Sequence, residues 1–258
     1  MIDNRIQRYG RRPRRRAQWG CAGLIGGGFV LLFACVLLYV TGVVTPLVLG
    51  VLGVDRLGDT DELLTISVDT ADQTRVTVVN PVVQAGASLD FGSYGQEYIQ
   101  PGNQNITVRT GADEGGAAVA DVTFNEAGLL ALCARRTPIC RGEDPRFRNP
   151  AVDLRPGGAV LFLDVQAGPV WQRVGLVLRL SAATVAVVGV DVDGSTYDPA
   201  TLPPLIPAET RAQIQAAVRE IERIGAAVVG DFQVMTGGAT YDLQGVSINA
   251  DTLELLLR

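Results

Sequence analysis

A run of 38 residues, 17–54, carries no charged side chain, and nothing else in the chain constrains its folding as strongly. Within it, 22–44 reads AGLIGGGFVLLFACVLLYVTGVV. About 20 apolar residues at roughly 1.5 Å rise are enough to cross the hydrocarbon core of a bilayer. Residues 22–44 therefore predict a transmembrane helix, with Trp19 and Tyr39 towards the interfaces. Pro46 ends or kinks the helix, and 47–54 continue as an apolar collar. Arg11, Arg12, Arg14, Arg15 and Arg16 stand directly before the run. By the positive-inside bias, 1–16 is then a basic cytoplasmic tail and everything after the span lies outside. A cleaved signal peptide would share the basic start, but the run is too long for its apolar region and no small-x-small site precedes a polar stretch. Gly23-x-x-x-Gly27 has the spacing that lets two such helices approach, which makes a homodimer through the span the candidate oligomer. Glycine is also simply frequent in membrane helices.

Charge divides the chain at the same place. Residues 1–54 hold seven arginines against one acid, a balance of +6, and 55–258 hold fifteen arginines against 26 acids, a balance of −11. An acidic exterior argues against a nucleic-acid partner, whose phosphates need a basic footprint. The bilayer is the partner that the N-terminal segment implies. Cys21 and Cys35 fall in the apolar run. Cys133 and Cys140 fall outside it, with six residues between them. Beyond the cytoplasm such a pair is a disulfide candidate.

Chemistry is restricted by what is missing. The chain has no histidine, and all 22 of its basic residues are arginine. Histidine-based triads, dyads and zinc motifs are thereby excluded, as are Schiff-base chemistry and the phosphate-loop lysine. The stretch from Asp191 to Ser195 starts like a calcium loop, but Thr196 stands where glycine is required and Leu202 where the closing glutamate belongs. Asp191, Asp193 and Asp198 read more simply as a strand end and a turn. Asp164 and Asp191 can be paired on paper as acid and base, yet 26 acids make chance pairs inevitable. No catalytic residue, metal site or cofactor is expected, and the chain reads as a non-enzyme. Arg135, Arg136 and Arg141 form a basic spot suited to lipid phosphates or, for the first two, to the carbonyls of a helix end.

Beyond 55–61, a polar linker, 62–116 reads as a small loop-rich β segment, with strands over 63–69 and 75–80. From 117 the pattern sharpens. A strand over 117–124 leads into a helix capped by Asn125 and running to about Arg136. Strands follow over 151–154, 159–167, 170–181 and 184–192, joined too closely for parallel crossovers. After Pro203 and Pro204 comes a helix over 208–229, in which Ile214, Ala217, Val218, Ile221, Ile224 and Val228 form one apolar stripe. Two or three strands end the chain. The expected fold class is α+β, an N-terminal transmembrane helix followed by a curved antiparallel sheet packed on a long amphipathic helix.

Several stretches of 117–258 carry a likeness: VTFNEAGLLALC, RNPAVDLRPGGAVLFLDV, LSAATVAVVGVDVDGSTY, TLPPLIPAETRAQIQAAVREI and the closing YDLQGVSINADTLELLLR. In element order they resemble bacterial membrane-anchored proteins of the tubular lipid-binding (TULIP-like) superfamily. The resemblance implies a curved sheet wrapped around a helix, with an apolar groove that takes a lipid tail. Leu129, Leu130, Ile214, Val218 and Ile221 are the candidate groove residues. The sequence therefore predicts a single-pass protein of the cell membrane, N-terminus in the cytoplasm, whose external domain binds lipid or another apolar ligand. The alternative is a structural or protein-interaction domain of the cell envelope without a groove.

Overall fold

A computed structural model describes residues 56–66, 78–167, 169–204 and 206–258. The apolar run 17–54 and the Gly23–Gly27 pair lie outside the described residues. Among the described residues no helix is long and apolar enough to cross a membrane.

The architecture of the described residues corrects the expected α+β class, while the expected transmembrane helix falls outside them. The described chain is mostly antiparallel β, arranged as two sheets, one of them curled, with a single long helix. Strands β1 (Arg56–Gly58), β7 (Phe147–Arg155), β8 (Gly158–Ala167), β9 (Val170–Leu180), β10 (Val185–Val192) and β11 (Ser195–Tyr197) make a six-stranded sheet in the order β1-β11-β10-β9-β8-β7. Short turns such as Arg155 to Gly158 join its neighbours, so the sheet grows as a meander.

The second sheet has eight strands. They are β2 (Val79–Val83), β3 (Ser88–Phe91), β4 (Gln96–Tyr98), β5 (Ile106–Ala112), β6 (Ala118–Phe124), β12 (Phe232–Thr236), β13 (Ala239–Ile248) and β14 (Leu253–Leu257). Their order is β2-β5-β6-β14-β13-β12-β3-β4. The stretch that looked loop-rich thus supplies four strands to a sheet shared with the C-terminus. Leu257 pairs with Ala120, and Phe232 with Phe91. Such pairings join residues more than a hundred positions apart, and no local pattern announces them. This is the physical reason the α+β reading undercounted strand.

Four α-helices and a 3-10 turn at Gly92–Tyr94 complete the described chain: α1 (Thr60–Ile66), α2 (Glu126–Arg136), α3 (Pro138–Arg141) and α4 (Ala208–Gly230). Helix α1 corrects the strand expected from residue 63, and with β1 it replaces the expected linker. It folds onto the six-stranded sheet, where Leu64 is fully buried with Val160 and Val177. Thr60 Oγ1 lies 2.7 Å from Thr196 Oγ1, and Arg155 donates to Asp61 at 2.7 Å.

Helix α2 starts as read. Asn125 Oδ1 accepts from the Gly128 amide at 2.8 Å, and Glu126 lies in the first turn. It stops because Pro138 cannot continue it, and Thr137 caps the single turn of α3 by accepting from the Ile139 amide. Helix α4 runs beside β8, β10 and β3 with its apolar stripe inward. One core cluster draws on both sheets: Phe91, Val122, Phe124, Phe232 and Leu257 come from one, Leu154 and Ala159 from the other.

Candidate functional site

The apolar stripe of α4 has two different environments. In its first half Ile214 is 1% exposed and Ala217 2%, a closed contact. In its second half Ile221, Ile224, Val228 and Val229 border a half-enclosed cavity of about 200 Å³. Gly225 sits between them because the helix approaches β10 closely there. A Cβ at that position would lie 2.5 Å from Val185 Cβ. Glu222 fixes the same crossing by accepting from the Val187 amide at 3.0 Å, where the β9–β10 register shifts.

The remaining walls come from three directions. Leu129, Leu132 and Arg136 are contributed by α2, one helical face at three- and four-residue steps. Phe91, Phe232, Leu243, Val246 and Leu253 come from the eight-stranded sheet, and Leu180 and Val185 from the six-stranded one. Phe91 and Phe232 pack as a tilted pair with centroids 5.2 Å apart. The lining is almost wholly carbon, so water inside would find few partners, and an apolar occupant is favoured by the area it removes from water.

Of the five candidate groove residues, the cavity brings together Leu129 and Ile221. Leu130 is half-buried elsewhere on α2, while Ile214 and Val218 are packed into the core. These three do not border the cavity, and for Ile214 and Val218 the reason is their position along the axis of α4. A stripe repeats every 3.6 residues whatever stands opposite it, and here the opposing surface closes on the first half and leaves space against the second. The aromatic walls Phe91 and Phe232 were missed, because β3 and β12 are short strands whose pairing is visible only once the sheet forms.

Arg136 is the charged residue of this wall. The Arg136 side chain is 7% exposed, and its guanidinium carbon sits 3.9 Å from the centre of the Phe91 ring. Nη1 donates to the Leu132 carbonyl at 3.1 Å, closing the end of α2. Nη2 stands 3.9 Å from Glu97 Oε2, an ion-pair distance without a hydrogen bond. The other oxygen of Glu97 belongs to Arg135. Nε of Arg136 is buried with no hydrogen-bond partner. Burial, and then the charge of Arg135, lower its pKa from the ordinary arginine value. Arg141 pairs instead with Glu143 at 2.8 Å, so the three arginines of the sequence spot do not act as one patch.

Cys133, on the cavity wall, and Cys140, in α3, lie at disulfide distance with Cα atoms 5.5 Å apart. The acidic candidates disperse. Asp191 accepts from Gly194 and Thr60, and Asp198 accepts from the Ala200 amide at 2.7 Å. Asp164 is taken by Asn149 and Arg173 at 2.7 and 3.0 Å. Among the described residues no three His, Cys, Asp or Glu side chains gather as metal ligands. No family model matches the chain, and neither do any curated protein or solved structure.

Proposed function

We propose that this domain binds a lipid or another acyl-chain ligand without transforming it, in the cavity between α2, α4 and the two sheets. The observation that supports the reading is the carbon-lined space of about 200 Å³ against the second half of the α4 stripe. An apolar cavity of roughly 150 Å³ takes a benzene ring, so by proportion this one takes about eight carbons. That suits one acyl chain end, not a whole two-chain lipid. Membership of the tubular lipid-binding proteins and a place outside the cytoplasm belong to the same proposal. The second is supported by a cysteine pair at bonding distance, which an oxidising compartment would close.

Native mass spectrometry of the full chain tests the reading. A bound mass released as lipid on denaturation is expected. Val228→Trp, which fills the space, removes it while leaving the circular dichroism spectrum unchanged. A ligand-free mass that persists after incubation with membrane extract overturns the proposal. That outcome favours the interaction-domain reading, which draws on the edge strand β2, where Val82 and Val83 are 59% and 67% exposed.

A further inference from the structure

Arg136 places a buried cation at the cavity wall. A guanidinium cannot lose its proton in a protein, so its charge persists inside the wall. Buried charges in folded proteins are paired and hydrogen-bonded, because an unpaired one loses its hydration without compensation. Arg136 is incompletely paired on both counts. Glu97 is shared with Arg135 and stands 3.9 Å from Nη2, while Nε donates to nothing. Stacking on Phe91 compensates in part through the negative face of the ring. Arg135, Arg136 and Glu97 together leave one net positive charge beside a cavity whose other lining residues are uncharged and mostly apolar.

We infer that the ligand is a single-chain amphiphile with a carboxylate head, a fatty-acid anion whose chain fills the cavity and whose head pairs with Arg136. The inference rests on the acyl-chain reading above and adds the charge and chemistry of the head group. A monoanion matches the single net positive charge, whereas a phosphate monoester, at about −1.5 to −2 near neutral pH, exceeds it. The planar carboxylate also fits the donor fork of one guanidinium, which offers parallel N–H groups to two oxygens. Methyl esters and alcohols of the same chain length fill the same space and leave the cation as it stands.

Calorimetric titration of the full chain with decanoate, methyl decanoate and decyl phosphate separates these cases. Decanoate is expected to bind 10- to 100-fold more tightly than its methyl ester, the range for a hydrogen-bonded charge pair. Arg136→Gln reduces the acid to the affinity of the ester, and Arg136→Lys keeps part of the difference. As a readout on the unaltered protein, the carboxyl carbon of bound [1-13C]decanoate titrates below its free pKa, because the adjacent cation favours the ionised form. Equal binding of acid and ester, with both lost in Val228→Trp, overturns the carboxylate inference and leaves the cavity reading intact. A preference that survives Arg136→Gln, or tighter binding of decyl phosphate, overturns it as well. Failure of all three probes to bind removes both readings together.

Discussion

The two halves of α4 share one sequence pattern and meet two different fates. Over its first half Ile214 and Ala217 are sealed against the sheet, and Thr210 donates to the Gln166 carbonyl at 3.3 Å. Over its second half Ile221, Ile224 and Val228 face the cavity. The changeover lies at Glu222 and Gly225, where the helix is bonded to Val187 and closest to Val185. An apolar stripe therefore specifies which side of a helix turns inward. Whether that side meets solid core or open space depends on the surface opposite.

The comparison breaks most readily at the closed end. Ile214→Ala leaves a hole in packed surroundings and is expected to cost about 3 kcal/mol of stability, read as a lowered denaturant midpoint at constant m-value. It should leave decanoate affinity within about twofold, since 1.4 kcal/mol corresponds to tenfold and Ile214 does not border the cavity. A large loss of affinity would mean that the two halves are not separate.

At the open end Cys133 of the wall helix α2 stands at disulfide distance from Cys140 of α3. Replacing both with Cys133→Ala and Cys140→Ala is expected to cost about 2 to 3 kcal/mol through the closed loop's effect on the unfolded chain. Chemical denaturation of oxidised wild type beside the double variant measures it. An unchanged midpoint would place no bond there in solution.

At the changeover, Gly225→Val must push Val185 aside. Overpacking of this kind costs about 1 to 3 kcal/mol, and thermal unfolding gives the figure. The displaced β10 should also narrow the cavity, so ligand affinity falls with stability. If affinity holds, the close approach at Gly225 does not shape the cavity. The smallest effect belongs to Val228→Ala. Its methyl groups border space that is already open, so the loss is expected below about 1 kcal/mol, against about 3 for Ile214→Ala. Equal losses for the two variants would erase the distinction between the halves.

Much of the local structure was legible. Asn125 and Glu126 announce the start of α2, and Pro207 precedes α4, whose predicted and observed ranges differ by one residue at the exit. The strands β8, β9 and β10 follow their β-branched runs. These signals are read within one turn or one strand, so no distant residue is needed to interpret them. The cavity was legible only through Leu129 and Ile221. Its aromatic wall depends on β3 meeting β12, a pairing between residues 88–91 and 232–235. The role of Arg136 was hidden too. In sequence it is one of two arginines at a helix end, and only the fold turns Arg135 outward to Glu97 while laying Arg136 against Phe91.

Sequence alone determined the −11 balance of residues 55–258, the exclusion of histidine and lysine chemistry, the apolar character of 17–54, and the inward face of α4. Each follows from composition or from a repeat of one helical turn. Tertiary structure decided that residues 79–112 join the C-terminal strands in one sheet. It also decided that α4 is half core and half cavity wall, and that one arginine is buried at that wall. Those outcomes depend on which surfaces meet, and that is a property of pairs of distant segments.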